Sequence, residues 1–150
     1  MATAGVSHLF VDTNILVFAT DAGSPFQSAA ETELNEWRKQ GTDLYVSIQV
    51  LREYLAVTSR PAPTQTAPPD YPAILGNIAS FRSAFRVLED TMIVSDKLGE
   101  LVQRFAVKGR QVHDANIAAT MLTHGLVADL EAAKAEVTRL YERWQDLAAR

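Results

Sequence analysis

The chain has 150 residues, of which 47% are hydrophobic and 21% charged, with a formal net charge of −4 and a pI of about 5.3. This composition predicts one soluble globular domain over residues 1–150 and argues against a protein that coats duplex DNA through a broad basic face. It leaves open an enzyme with a single acidic, metal-loaded site. The absence of cysteine excludes disulfides, a thiol nucleophile and thiolate metal sites. Since no signal-peptide pattern and no membrane-spanning apolar run occur, we expect a cytoplasmic protein that does not enter membranes.

The first informative stretch is a short apolar run followed by polar residues. Leu9 to Val11 predicts a buried strand, because the run is too short for a helix. Asp12, Thr13 and Asn14 follow directly, and then a second apolar run begins. A carboxylate at the C-terminal end of a buried strand stands where open α/β sheets bind ligands. Alternatively, Asp12 or Thr13 only caps the next helix, and this stretch alone favours neither interpretation.

The next segments alternate between helix and strand. Ser24-Pro25-Phe26-Gln27 predicts a helix start, with Ser24 as N-cap and Pro25 in the first helical position, and this helix ends near Gly41. Leu44 to Val46 predicts a second strand. Together these segments indicate a strand–helix–strand arrangement.

A helix is predicted after the second strand, with Ser47 as its cap. Its apolar positions are Val50, Leu51, Tyr54 and Leu55. Glu53 lies at the edge of this apolar stripe. Residues 60–72 contain five of the six prolines and therefore predict an exposed loop, a mobile flap or linker between helices.

The second half continues the alternation. Apolar residues from Ile74 to Leu88 recur at helical spacing, Thr91 to Val94 predicts a third strand, and Ser95 or Asp96 then caps a helix that ends at Gly109. Strands that alternate with helices predict a mostly parallel sheet with right-handed crossovers.

Two further helices are predicted near the C-terminus. His113 and Asp114 open a helix rich in small residues that ends at Gly125. The tail then predicts a C-terminal helix over residues 128–150, because its apolar residues step by three and four as in a heptad seam. The seam consists of Leu130, Ala133, Val137, Leu140, Trp144 and Leu147.

Three acids stand at comparable places in this pattern. Asp12 ends a strand, Glu53 lies in the helix after the second strand, and Asp114 opens a helix. In a parallel sheet such positions can converge on one edge, where clustered carboxylates repel each other unless a cation sits among them. Oxygen ligands without cysteine select hard ions such as Mg²⁺ or Mn²⁺. The alternative is three unrelated surface or capping acids, and their spacing alone does not exclude it.

Three sequence segments carry a resemblance to a known family. VDTNILVFA, SIQVLREYLAVTSRP and GRQVHDANIAATMLTHG, in this order, resemble the PIN-domain family and in particular the VapC-type toxins of toxin–antitoxin pairs. The resemblance covers about residues 8–125. It implies a three-layer α/β/α fold with a parallel sheet and Mg²⁺- or Mn²⁺-dependent endoribonuclease activity on single-stranded RNA. It also implies inhibition by a cognate antitoxin protein and frequent homodimers.

The resemblance also assigns roles to individual residues. Asp12, Glu53 and Asp114 match the family's metal-binding, catalytic acids. Thr13 and Asn14 match the polar pair after the first acid. Asn14 would orient the Asp12 carboxylate, and its alternative role is that of a plain turn residue.

The C-terminal part departs from the family pattern. The family has a further strand and a turn with a fourth acid, whereas this chain runs from Gly125 through VADL into the heptad helix. VADL could be a shortened form of that turn, which would make Asp129 the fourth metal ligand. Alternatively, Asp129 only caps the last helix. Two functions are therefore predicted: a metal-dependent endoribonuclease or, alternatively, an inactive PIN-like interaction module that uses its C-terminal helix.

Overall fold

The computed structural model describes residues 7–61 and 66–127. These residues form two compact units that divide between Val87 and Leu88. The predicted C-terminal helix over 128–150, its heptad seam and Asp129 lie outside the described residues. Among the helices of residues 7–61 and 66–127, none has the length and hydrophobicity that a membrane span needs.

Helices follow strands along the chain, as the alternating sequence pattern predicts. The elements are β1 (His8–Phe10), α1 (Thr13–Thr20), α2 (Gln27–Lys39), β2 (Asp43–Ser47), α3 (Ile48–Thr58), α4 (Tyr71–Ala84), β3 (Arg86–Leu88), α5 (Met92–Phe105) and α6 (Gln111–Thr123). The three strands form one sheet in the order β1-β2-β3. β1 and β2 run parallel, with His8 opposite Asp43 and Phe10 opposite Tyr45. The predicted α/β fold with a parallel sheet is confirmed.

The core of the first unit forms where the sheet meets the helices that follow its strands. Phe10 of β1 and Val46 of β2 are buried, and Leu16 of α1 and Val50 of α3 are buried as well. α3 begins where predicted, because the Ser47 hydroxyl accepts a hydrogen bond of 3.2 Å from the backbone N–H of Val50. The cap and the buried apolar stripe together fix α3 against α1 and β2.

The second unit is built on the packing of α5 against α6. Val94, Leu101 and Ala119 are its buried residues, and Leu98 and Leu122 are among the partly buried residues around them. The methyl side chain of Ala119 allows the two helices to approach closely, since a larger residue would fill the space between them. Asp114 and His113 stand at the start of α6, on the exposed part of this unit.

The predicted third strand at Thr91 to Val94 is wrong. This segment is the cap and first turn of α5: the Thr91 hydroxyl accepts a hydrogen bond from the backbone N–H of Val94, so neither Ser95 nor Asp96 is the cap. Met92 and Ile93 are 77% and 67% exposed, as a buried strand would not be. A four-residue apolar run does not distinguish a strand from a helix turn.

The third strand lies earlier, in residues assigned to a helix by the sequence pattern. α4 ends at Ala84, Phe85 takes an extended conformation, and Arg86–Leu88 form β3. Phe81, Phe85 and Leu88 are all buried. These residues are four and three positions apart, which is helical spacing, although the chain after Ala84 is extended. Hydrophobic periodicity therefore did not indicate where the helix ends and the strand begins.

Other boundaries shift by a few residues. α2 begins at Gln27 because the Ser24 hydroxyl accepts a hydrogen bond from the backbone N–H of Phe26, which forms a turn before the helix instead of a cap. The proline-rich loop ends at Asp70 rather than at residue 72, since Asp70 caps α4 by accepting from the Ala73 N–H. α5 ends at Phe105, four residues before Gly109, and α6 begins at Gln111, two residues before His113.

Candidate active site

The candidate site begins at the end of β1. The backbone N–H of Val11, a residue 2% exposed, donates to the carbonyl of Tyr45 over 2.8 Å and keeps the chain paired with β2 one residue beyond the strand. Asp12 is extended (φ −80°, ψ 157°), and α1 begins at the next residue. Because β1 and β2 are parallel, α1 and α3 both begin at the same edge of the sheet. Open parallel sheets bind their ligands at this edge.

Capping does not account for the Asp12 carboxylate. Asp12 occupies the N-cap position of α1, yet its side chain accepts no capping hydrogen bond from that helix. Ser47, Asp70 and Thr91 each make such a bond at the starts of α3, α4 and α5. Asp12 is half-buried at the end of β1. Asp12 thus does not cap α1 through its side chain, and its role as a metal ligand stays a prediction.

Glu53 is held from two helices. It lies in the second turn of α3, and its Oε2 accepts a hydrogen bond of 3.0 Å from the Thr13 hydroxyl in α1. Its Oε1 accepts a bond of 2.7 Å from the side-chain amide of Gln49, one turn earlier in α3. Thr13 and Gln49 are 5% and 4% exposed. The Glu53 carboxylate is therefore fixed against the residue that follows Asp12.

The carboxylate oxygens of Asp12 and Glu53 are the kind of ligand that a hard divalent cation prefers. Each carboxylate oxygen has two acceptor sites, so the two hydrogen bonds to Glu53 leave acceptor capacity on both oxygens. Asp12 and Glu53 are each half-buried, and both carry the carboxylate oxygens that Mg²⁺ and Mn²⁺ prefer as ligands. Within residues 7–61 and 66–127, no group of three or more His, Asp and Glu side chains is arranged to hold a metal ion.

Asp114 belongs to the second unit. It is exposed in the first turn of α6, where a negative side chain also interacts favourably with the helix dipole. A joint site of Asp114 with Asp12 and Glu53 stays a prediction, and Asp129 lies outside the described residues. Asn14 is exposed in the first turn of α1, and its predicted orientation of Asp12 also stays a prediction.

Sequence reasoning missed the part played by Gln49. Its signal was available, because Gln49 and Glu53 are four residues apart in a helix that Ser47 was predicted to cap, and side chains at that spacing meet. The bond from Thr13 to Glu53 had no such signal. It joins residues 40 positions apart, and only the packing of α1 on α3 brings them together.

A separate cleft of about 680 Å³ lies among α1, α3 and α4. The Tyr54 hydroxyl in its wall lies 2.8 Å from the Thr20 hydroxyl and accepts a hydrogen bond of 2.9 Å from the Asn77 amide. Asp12, Thr13 and Glu53 do not line this cleft. The cleft is thus a second feature of the first unit, apart from the candidate metal ligands.

Two solved structures of bacterial proteins have a similar fold. VapC20 of Mycobacterium tuberculosis, described as a Sarcin-Ricin loop cleaving toxin, superposes with a TM-score of 0.58 over 78% of this chain and 83% of its own, at 21% identity. VapBC2 of Rickettsia felis, solved bound to a DNA fragment from its promoter, gives a TM-score of 0.54 over 79% of this chain and 82% of its own, at 18% identity. At such identities the likeness concerns the fold.

Comparison with curated protein sequences finds no match. The profile of the PIN domain matches residues 9–129, which include the end of β1, all of α3 and the start of α6. The match covers most of the chain and confirms the resemblance carried by the three sequence segments. The chain belongs to the PIN domain family.

Proposed function

We propose that the chain is a Mg²⁺- or Mn²⁺-dependent endoribonuclease that cuts single-stranded RNA and acts as the toxin of a toxin–antitoxin pair. The observation that carries the proposal is the Glu53 carboxylate, fixed by Thr13 and Gln49 beside the residue after Asp12. Membership of the PIN domain family supports it, as does the fold shared with VapC20, a Sarcin-Ricin loop cleaving toxin.

Each proposed site residue has a defined role. Asp12, Glu53 and Asp114 would hold the metal ion, and Asp129 would be a fourth ligand. A bound Mg²⁺ or Mn²⁺ supplies a water of lowered pKa and neutralises negative charge on the phosphodiester. The Thr13 hydroxyl and the Gln49 amide hold Glu53 in place by hydrogen bonds to its two oxygens. No protein nucleophile is needed in such a reaction, which agrees with a chain that has no cysteine.

The proposed partners are an RNA substrate, a cognate antitoxin protein and a second copy of the chain, in the cytoplasm. The fold shared with VapBC2, which was solved with promoter DNA, supports the toxin–antitoxin assignment. The heptad seam of the tail supports self-association, because a narrow apolar seam is typical of paired helices.

The experiment is RNA cleavage by the full-length chain with Mg²⁺, with Mn²⁺ and with a chelator. We expect cleavage of single-stranded RNA with either metal, none with chelator, and none by Glu53→Gln. The matched control is Glu36→Gln, which removes an exposed carboxylate that pairs with Lys39 on α2, and it should cleave like the wild type.

The possible results separate the two predicted functions. Cleavage that continues in chelator, or that survives Glu53→Gln, would contradict the metal-dependent mechanism. A folded protein that cleaves no RNA with either metal would instead favour the inactive PIN-like interaction module.

A further inference from the structure

Gln49 is a buried amide in direct contact with a candidate metal ligand. Gln49 is only 4% exposed, and its Nε2 donates a hydrogen bond of 2.7 Å to Glu53 Oε1. We infer that Gln49 is a positioning residue, whose amide, with the Thr13 hydroxyl, fixes the Glu53 carboxylate in the orientation that receives a divalent cation. This inference rests on the proposed function and adds to it a residue that acts through Glu53.

The geometry of α3 explains why position 49 can do this. Gln49 is the second residue of α3 and Glu53 the sixth, so the two side chains lie one above the other on the same face. Thr13 reaches the other oxygen of the carboxylate from α1. A glutamate side chain has several staggered rotamers, and donors from two different helices select one of them. The carboxylate is thus oriented before any cation binds.

The charge of the donor matters as much as its position. Thr13 and Gln49 are both neutral, so they satisfy the carboxylate oxygens without bringing a positive charge to the place where a cation would bind. A lysine or arginine at position 49 would form an ion pair with Glu53 and compete with the metal. A neutral amide is therefore the donor that suits a metal-binding carboxylate.

A purely structural role for Gln49 makes a different prediction. Buried polar groups need hydrogen-bond partners, and Glu53 is such a partner for the Gln49 amide whether or not a metal binds. In that case, removal of the amide would lower stability and leave cation affinity unchanged. Tyr54 offers the matched control, because it adjoins Glu53 in α3, is 1% exposed and bonds to Thr20 and Asn77 instead of to a candidate ligand.

The test is a Mn²⁺ titration of the full-length protein, followed by electron paramagnetic resonance of the free ion, with thermal unfolding measured in parallel without metal. Gln49→Met keeps a side chain of similar length without the donor, and should weaken Mn²⁺ binding by roughly 10- to 100-fold. Saturating Mn²⁺ should restore its RNA cleavage, because the carboxylate ligands are intact. Tyr54→Phe should unfold at a lower temperature and retain wild-type Mn²⁺ affinity.

A second variant covers the case in which Gln49→Met does not fold. Gln49→Asn keeps the amide but is one methylene too short to reach Glu53, and it should weaken Mn²⁺ binding in the same direction. Wild-type affinity in a folded variant at position 49, or an equal loss in Tyr54→Phe, would overturn the inference. If the wild type binds Mn²⁺ and Glu53→Gln abolishes the binding while both Gln49 variants match the wild type, the proposed metal site stands and only the inference fails. Absence of Mn²⁺ binding in the wild type would contradict both.

Discussion

Thr13 and Glu53 are joined by a hydrogen bond of 3.0 Å although they lie 40 residues apart in the sequence. The bond ties the first residue of α1 to the second turn of α3, at the edge of the sheet where both helices begin. It makes the polar residues after β1 and the acid after β2 parts of one arrangement. Two sequence segments that resemble PIN-domain motifs are thus connected by a specific contact within one unit.

The first prediction concerns this bond. Thr13→Val keeps the shape of a residue that is 5% exposed and removes the hydroxyl that donates to Glu53. We expect the free energy of unfolding to fall by about 1 kcal/mol, the usual net value of an intramolecular hydrogen bond. Urea denaturation of the metal-free protein measures it.

Thr58→Val is the matched control for this prediction. The Thr58 hydroxyl donates back to the carbonyl of Tyr54 within α3, so its loss should change the free energy of unfolding by about 0.5 kcal/mol or less. Equal losses of unfolding free energy in the two variants would show that the contact with Glu53 stabilises the protein no more than a bond within one helix does.

The second prediction separates a capping aspartate from a ligand aspartate. Asp70 caps α4 through a bond from the Ala73 N–H, so Asp70→Ala should lower the free energy of unfolding by about 1 kcal/mol. Asp12 makes no capping bond to α1. In the proposed metal site, removal of its charge would relieve repulsion from the neighbouring carboxylates. Asp12→Ala should therefore cost less stability than Asp70→Ala in the metal-free protein, and should abolish RNA cleavage.

Metal-free melting temperatures and RNA cleavage of the two variants check this prediction. Asp70→Ala should still cleave RNA at temperatures where it is folded. A larger loss of stability in Asp12→Ala than in Asp70→Ala would make Asp12 a structural residue.

Sequence patterns predicted local structure correctly where a few neighbouring residues determine it. Ser47 was predicted to cap α3 and does so, because a hydroxyl at that position can reach the backbone N–H of Val50 whatever the rest of the chain does. Strand β2 was predicted from three apolar residues, and the structure extends it by one residue at each end. Both features depend on a few neighbouring residues.

The sequence failed where distant packing decides the local structure. Met92 and Ile93 stand in an apolar run, yet they are exposed in the first turn of α5, and the run carries no sign of this. Phe85 and Leu88 keep helical spacing although Phe85 is extended and Leu88 lies in β3. The contact between Thr13 and Glu53 depends on the crossing of α1 and α3, which no single segment specifies.

The third prediction concerns the buried hydroxyl of Tyr54. Tyr54 is 1% exposed, and its hydroxyl lies within hydrogen-bond distance of the Thr20 and Asn77 side chains. Tyr54→Phe removes this hydroxyl, so both side chains lose a hydrogen-bond partner. The free energy of unfolding should fall by about 1 kcal/mol, the usual net value of an intramolecular hydrogen bond. Tyr71→Phe is the control: Tyr71 is 54% exposed, and its variant should stay within about 0.5 kcal/mol of the wild type. Equal urea midpoints for the two variants would contradict the prediction.

The fourth prediction concerns the C-terminal seam, which is known from the sequence alone. Leu140→Glu places a charge in the seam and should shift the full-length chain from dimer to monomer in light scattering, since a charge in an apolar helix interface is costly. Arg139→Glu changes a neighbouring position outside the seam and should leave the mass unchanged. A wild-type chain that is monomeric at high concentration would contradict self-association through the seam.

The last prediction concerns two glycines that differ in backbone conformation. Gly99 lies within α5, and a Cβ placed there would meet no atom within 4 Å in the described part of the chain, apart from its chain neighbours and the backbone of its own helix. Gly99→Ala should therefore raise the free energy of unfolding by about 0.5–1 kcal/mol, because alanine loses less backbone entropy than glycine in a helix. Gly109, between α5 and α6, likewise has open space around its Cβ position among the described residues, but its φ is +54°.

The pair is informative because space is available at both positions and only the backbone differs. Gly109→Ala should lower the free energy of unfolding by about 1–2 kcal/mol, since a side chain in the left-handed region brings its Cβ too close to the backbone. Urea denaturation of the two variants and the wild type should give midpoints on opposite sides of the wild-type value. A stabilised Gly109→Ala would show that this turn adopts another conformation in solution, and a destabilised Gly99→Ala would show that α5 packs on that face.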